Sequence, residues 1–94
     1  MRKFIVRIEL HGASRDHYVR LHDLMHASGF TNVIVSDAGA KFQLPPAEYI
    51  GVSNTTTTQM LSSAKNCARQ IGLRFAVAVF EYSTAAWEGL PTAA

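Results

Sequence analysis

The chain has 94 residues, with nine lysines and arginines against seven acidic residues, and so carries a formal charge of +2. This length suffices for one domain and not for two, and the weak positive charge permits contact with nucleic acid without requiring it. The single cysteine, Cys67, excludes an intrachain disulfide and is typical of a reducing compartment.

The first ten residues predict a strand with one buried face, because apolar side chains recur with a period of two. These apolar positions are Phe4, Val6, Ile8 and Leu10. Charges at Arg7 and Glu9 interrupt the apolar run, so the segment matches neither a signal peptide nor a membrane span. We therefore expect a cytoplasmic protein without a membrane partner.

A first helix is predicted after the break at His11 to Ser14. Ser14 is a good N-cap for a helix that begins at Arg15, and Gly29 is well placed to end it. At about 100° per residue, one stripe of this helix carries its apolar side chains. They are Tyr18, Leu21, Leu24 and Met25.

Two further strands follow. Thr31 to Ser36 is β-branched and apolar, and the turn signal Asp37-Ala38-Gly39 separates it from a third strand that begins at Lys41 to Leu44. Pro45-Pro46 interrupts this third strand, because proline has no N–H to donate. We expect an edge position or a bulge there, with Glu48 to Ser53 as the continuation.

The second half of the chain predicts one more helix and one more strand. Thr56-x-x-Gln59 is a candidate capping box, and Gly72 ends the helix. The apolar face of the helix comprises Met60, Leu61, Ala64, Cys67, Ala68 and Ile71. Arg74 to Tyr82 is nearly all apolar and indicates a central or two-sided strand. The tail from 83 to 94 is irregular, and Trp87 and Leu90 are expected to dock on the single domain formed by residues 1–94.

The order β-α-β-β-α-β predicts an α+β, ferredoxin-like sandwich with a four-stranded antiparallel sheet in the order 4-1-3-2 and two helices on one face. The opposite face would carry Ile5, Arg7 and Glu9 together with one alternating set from the last strand. Whichever alternating set of the last strand faces outward, apolar side chains remain on this open face. A homodimer through the open sheet face, or a tail that covers it, is therefore expected.

His22 and His26 lie four residues apart, a spacing that lets two imidazoles reach one metal ion. A metal site needs three or four ligands, and the sequence has no HExxH motif and no cysteine pair to supply them. We therefore interpret the two histidines as solvated residues flanking the apolar stripe, and predict no metal ligands from them.

Several polar residues suit the cleavage of RNA, which needs a base, an acid and a cation beside the phosphate. The loop from His11 to Ser14 leads into a helix N-terminus, where backbone N–H groups can bind an anion. The neighbouring candidates are Glu9, His11, Arg7 and Arg20 with His22. On these residues alone, ordinary surface polarity is the simpler explanation.

Basic residues are spread through the chain and interleaved with acids, so they form no continuous stripe. Arg7, Arg15 and Lys41 are the candidate RNA contacts. Phe75, Phe80 and Tyr82 have the rings to stack bases, although core or dimer packing explains them more simply.

The span from Tyr18 to Val52 resembles the GhoS-type antitoxins of type V toxin–antitoxin systems. The similar residues are Arg20-Leu21-x-x-Leu24-Met25, Phe30, Ile34, Asp37-x-Gly39, Gln43-Leu44 and Tyr49. The resemblance implies a small ferredoxin-like endoribonuclease, related in fold to the nucleases of CRISPR adaptation. Such an antitoxin cuts the messenger of a small membrane toxin.

The resemblance also points to individual residues. The family has an Arg-Leu-Arg run in the first helix, whose second arginine is linked to activity, and here the run is Arg20-Leu21-His22. In the CRISPR relatives an acidic residue ends the first strand as a candidate metal ligand, and Glu9 occupies the comparable place. A divalent metal is thus the one candidate cofactor. The replacement of the second arginine of the run by His22 matters because arginine cannot act as a base and histidine can.

The resulting prediction is an antitoxin-like endoribonuclease with Arg20, His22, Glu9 and His11 as catalytic candidates. The alternative is a non-catalytic binding or dimerisation module that uses the open sheet face. A small-ligand regulatory domain is a third interpretation, which rests on analogy of fold alone.

Overall fold

The structure is a computed structural model that describes residues 1–93, so that Ala94, the end of the predicted tail, lies outside the described residues. In this range the chain forms five strands and two helices. In chain order they are β1 (Arg2–Leu10), α1 (Arg15–Ala27), β2 (Val33–Val35), β3 (Lys41–Gln43), β4 (Glu48–Ser53), α2 (Thr57–Arg69) and β5 (Phe75–Tyr82).

Strand β1 is the centre of an antiparallel three-stranded sheet in the order β4-β1-β5. Val6 lies opposite Tyr49 of β4 and Val79 of β5, which fixes the register on both sides. The predicted alternation in β1 is confirmed, because the even-numbered side chains from Phe4 to Leu10 are all buried. Paired residues of antiparallel strands point to the same face, so this register also assigns β4 and β5 side chains to faces.

Both helices pack on the even-numbered face of β1. Leu21 and Met25 of α1 join the main core there, and α2 contributes Met60, Ala64, Cys67 and Ala68. An N-cap residue precedes each helix, Ser14 before α1 and Thr56 before α2. The Ser14 N–H donates to Nδ1 of His17 at 2.9 Å, and the predicted capping box of α2 is confirmed, since the Gln59 N–H donates to Oγ1 of Thr56 at 3.1 Å.

The predicted four-stranded ferredoxin-like sheet in the order 4-1-3-2 is wrong. The expected third strand is divided by Pro45-Pro46 into β3 and β4, and β3 pairs with β2 in a separate two-stranded sheet. An isolated bridge joins Thr31, which precedes β2, to Ile50 of β4. The two prolines have no N–H for a ladder, and Ala47 adopts a positive φ of 62°, a left-handed conformation that no continuous strand allows.

The carboxy-terminal tail docks as predicted and forms a second core on the other face of the sheet. Trp87 and Leu90 pack with Phe42 against the buried residues Ile34, Leu44 and Ile50. The Trp87 ring meets Phe42 edge-on, with 5.6 Å between ring centroids. Backbone bonds then continue the tail along β3, because the Gln43 N–H donates to the Pro91 carbonyl at 2.8 Å. Part of the predicted open face is therefore covered by the chain itself.

Neither helix within residues 1–93 is long and apolar enough to cross a lipid bilayer.

We expect Trp87→Ala to lower the free energy of unfolding by about 2 kcal/mol, because it removes the largest side chain of the second core. Urea unfolding followed by far-ultraviolet circular dichroism measures this change. Glu88→Ala, at an exposed neighbouring position, is the matched control and should change the free energy by less than about 0.5 kcal/mol. Equal effects of the two substitutions would contradict a docked tail.

Candidate functional site

The polar residues at the end of β1 lie on the face of the sheet opposite the helices. Glu9 has the odd numbering of that face, and its carboxylate lies 3.8 Å from Nε2 of His11. Both side chains are more than half exposed. The backbone of His11 is held in place, because its N–H donates to the Arg74 carbonyl at 2.8 Å. Two of the four predicted catalytic residues are therefore neighbours.

A shallow groove of about 490 Å³, lined in part by Glu9 of this pair, lies on the uncovered part of the open face. We call it the sheet groove and define it by Arg7, Glu9, Glu48, Ala76, Ala78 and Phe80. Arg7 faces Glu48 across the β1–β4 ladder, with 3.7 Å between guanidinium and carboxylate. Phe80 forms one end of the groove, and 54% of its surface is exposed. Such an exposed ring beside an arginine can bind a planar, anionic molecule.

The structure also decides which alternating set of β5 faces the helices. Phe75, Val77 and Val79 pack against the main core, so that Ala76, Ala78 and Phe80 face the groove. This assignment could not be made from periodicity, because both sets of side chains are apolar.

Arg20 and His22, the other two predicted catalytic residues, lie in a different part of the molecule. They flank the buried Leu21, and two residues of helix turn the chain by about 200°, so their side chains diverge. The ring of His22 lies 6.1 Å from that of Tyr49, which belongs to the helix-side face of β4, and 6.3 Å from that of His26. Neither residue of α1 is brought to Glu9 and His11.

Of the predicted RNA contacts, only Arg7 lines the sheet groove. Arg15 is the first residue of α1, and Lys41 lies on β3 beneath the tail, where its carbonyl accepts from the Ala93 N–H at 2.9 Å. The basic candidates therefore do not converge on one surface.

The residues around Glu9, where the resemblance suggests a metal ligand, fit a divalent metal poorly. Within residues 1–93, no group of three or more histidine, cysteine, aspartate or glutamate side chains is arranged to hold a metal ion. Glu9 and His11 supply two donors, and His22 with His26 another two. A protein-bound metal centre needs more ligands than either pair provides.

Two contacts at the groove were not predicted from the sequence. The sequence predicts Tyr18 on the apolar stripe of α1, but its hydroxyl also accepts from the Leu10 N–H at 3.1 Å and donates to the Leu10 carbonyl at 3.3 Å. Glu48 was assigned only to a strand. Its position opposite Arg7 depends on the strand register, for which the local sequence gives no signal.

Burial raises the pKa of Tyr49 to about 12. The phenol is therefore neutral throughout the physiological range, and it contributes an aromatic ring near His22 and does not act as a base.

No protein-family model and no curated protein matches this chain. The resemblance to the antitoxins therefore stays a prediction.

Tyr49 gives a pH-dependent prediction whose sign follows from its raised pKa. An unfolded tyrosine loses its proton near pH 10, whereas the folded one keeps it to about pH 12. The unfolded state therefore binds fewer protons between these values, and the free energy of unfolding falls as pH rises from about 10 to about 12, by on the order of 2 kcal/mol. Urea unfolding at several alkaline pH values measures the fall, and Tyr49→Phe should make it shallower. An unchanged slope in this variant would contradict the assignment.

Proposed function

We propose that this chain is a cytoplasmic, RNA-cleaving antitoxin of the kind its sequence resembles, and that RNA binds in the sheet groove. One observation carries the proposal. Arg7 and Glu9, two residues selected for RNA chemistry, line the groove, the Glu9 carboxylate lies 3.8 Å from His11, a third such residue, and the groove also contains the exposed ring of Phe80.

Binding uses the ring and the guanidinium. A base unstacked from single-stranded RNA lies on the face of Phe80, as bases do on aromatic side chains of other RNA-binding sheets. Arg7 holds the adjacent phosphate through two N–H groups. This requires Arg7 to leave Glu48, which costs little because the Arg7 side chain is 65% exposed and the two charged groups are 3.7 Å apart.

Cleavage uses the pair at the end of β1. The Glu9 carboxylate takes the proton of the ribose 2′-hydroxyl, and that oxygen attacks phosphorus. The bond from phosphorus to the 5′-oxygen breaks, and the protonated imidazole of His11 gives its proton to the leaving oxygen. The products are a 2′,3′-cyclic phosphate and a 5′-hydroxyl end. Arg7 stabilises the charge that develops on the phosphorane.

The roles of Arg20 and His22 are tested by the same assay, since the resemblance links activity to the position of His22, and Arg20 is the retained arginine of the same run. Both lie on α1, and His22 is on the helix side of the sheet with Tyr49. Loss of cleavage in Arg20→Ala or His22→Ala alone would place the catalytic site on α1 and not in the sheet groove. The messenger of a membrane toxin is the substrate that the resemblance implies.

The purified protein should cleave single-stranded RNA, in a chelator as well as with a divalent cation, and leave cyclic phosphate ends. We expect Glu9→Gln and His11→Ala to slow cleavage about a hundredfold or more, and Arg7→Ala by about a hundredfold. His26→Ala and Glu88→Gln are matched controls at exposed positions away from the groove.

Gel analysis of end-labelled RNA measures the rates, and chemical analysis of the ends identifies the products. Absence of cleavage by the wild-type protein would refute the proposal. Cleavage that requires a divalent cation would contradict the acid–base route.

A second candidate function is a non-catalytic module that forms a homodimer through the open sheet face. The exposed apolar side chains of Ala76, Ala78 and Phe80 favour it, because they remain uncovered by the tail. In light scattering it predicts a dimer that resists dilution and that Phe80→Ser weakens, together with no RNA binding. RNA binding by a monomer would exclude it.

A further inference from the structure

Strand β5 is an edge strand with one neighbour, since within residues 1–93 it pairs with β1 alone. The His11 N–H bonds to the Arg74 carbonyl, which makes the even-numbered residues of β5 the ones bonded to β1. The N–H and C=O groups of the alternate residues therefore point outward. These are Phe75, Val77, Val79 and Glu81.

This edge lacks the features that normally prevent strands from pairing with other chains. Edges are usually protected by proline, lysine or a bulge. From Phe75 to Phe80 there is no charged residue and no proline, and the register with β1 is unbroken from Leu10–Phe75 to Lys3–Tyr82. Charged side chains occur only at the ends of the strand, at Arg74 and Glu81.

We propose that this edge binds β5 of a second copy of the chain, antiparallel and about a two-fold axis at Ala78, to give a continuous six-stranded sheet. This register is favoured because it pairs all four outward residues, Phe75 with the partner's Glu81 and Val77 with the partner's Val79. Each such pair exchanges two hydrogen bonds, about eight in all. A shift by two residues leaves one outward residue of each strand without a partner within β5.

The side chains on the groove face are also complementary in this register. Ala76 lies opposite the partner's Phe80, so a large ring meets a small side chain on each side of the axis. Ala78 meets its own copy on the axis, where two larger residues would collide at the close spacing of a non-hydrogen-bonded pair.

The surface area that this edge contact buries is sufficient for a specific, reversible dimer. Eight residues of antiparallel strand extend about 27 Å, and the molecule measures 20 Å along its shortest axis. An edge contact of these dimensions buries roughly 1,000 Å² in total over both copies, at the lower end of biological interfaces. The dimer should therefore dissociate on dilution, in contrast to one held by a large apolar face.

The test is sedimentation velocity across a wide range of protein concentration, where the wild-type chain should show a monomer–dimer equilibrium. Val79→Pro removes an outward N–H that the monomer does not use, and proline is tolerated at such edge positions. It should raise the dimer dissociation constant by at least about tenfold. Val79→Ala loses the same side-chain packing but keeps the N–H, and is the matched control.

A cross-linking variant tests the axis and does not depend on the stability of the proline variant. In the proposed register the two Ala78 Cα atoms lie about 4.5 Å apart, within the range of a disulfide. Ala78→Cys should oxidise to a covalent dimer under mild conditions. Cys67 is buried and does not compete, and Val35→Cys, on an exposed residue of β2, is the control.

A chain that stays monomeric at every concentration would overturn the proposal. So would a dimer that Val79→Pro leaves unchanged and that Ala78→Cys does not trap, because that dimer must use another surface.

Discussion

The alternation of side chains along β1 is the constraint on which the rest of the structure depends. The even-numbered residues bury the main core beneath both helices, and the odd-numbered residues from Lys3 to Glu9 face the other way. Because the period of a strand is two, a slip of one residue would place Arg7 and Glu9 in the core and Val6 and Ile8 in solvent. The cost of burying those charges fixes the register. The same register brings Arg7 opposite Glu48 and leaves Glu9 beside His11.

The break at Pro45-Pro46 has consequences beyond the division of one strand. Because β4 begins only at Glu48, the end of β1 has no partner strand on that side. Two other groups form hydrogen bonds with its backbone there. The Ile8 N–H bonds to the Ala47 carbonyl at 3.0 Å, and the Tyr18 hydroxyl bonds to both backbone groups of Leu10. These contacts satisfy the backbone without another strand, and the sheet groove opens at this point. The break also frees β2 and β3 to pack with the tail as a second core.

The parts of the fold that local patterns determine were predictable. Alternating Phe4 to Leu10 identified β1, and Thr56 with Gln59 marked the start of α2. Trp87 and Leu90 are large apolar residues in a tail made otherwise mostly of small ones, which indicated docking. The sheet order was not predictable, because Pro45-Pro46 is compatible with a bulge or a break, and the outcome depends on where β2 and the tail pack. The orientation of β5 was hidden because Ala76 and Val77 are both apolar.

The candidate site likewise has features that could be predicted from the sequence and others that could not. The proximity of Glu9 and His11 follows from a strand period of two and was implicit in the sequence. The divergence of Arg20 and His22 was equally implicit, since a helix turns by about 100° per residue, but the resemblance presented them as one motif. The positions of Glu48 and Phe80 relative to Arg7 required the pairing of three strands that are distant in sequence. No local pattern contains that information.

The charges around the sheet groove bear on the RNA binding that we propose for it. Arg7 lies between two carboxylates, Glu9 on its own strand and Glu48 on the next. The groove therefore has no excess of positive charge, and attraction to phosphate cannot be its main source of affinity. Stacking on Phe80 is worth about 1–3 kcal/mol per base, which exceeds an exposed ion pair. In the proposed complex one arginine neutralises one phosphate, so we expect a shallow dependence of binding on salt, with a slope of about −0.7 in a double-logarithmic plot for single strands. In the proposed complex, stacking on Phe80 therefore holds a base without selecting among the four, and Arg7 positions the adjacent phosphate near Glu9.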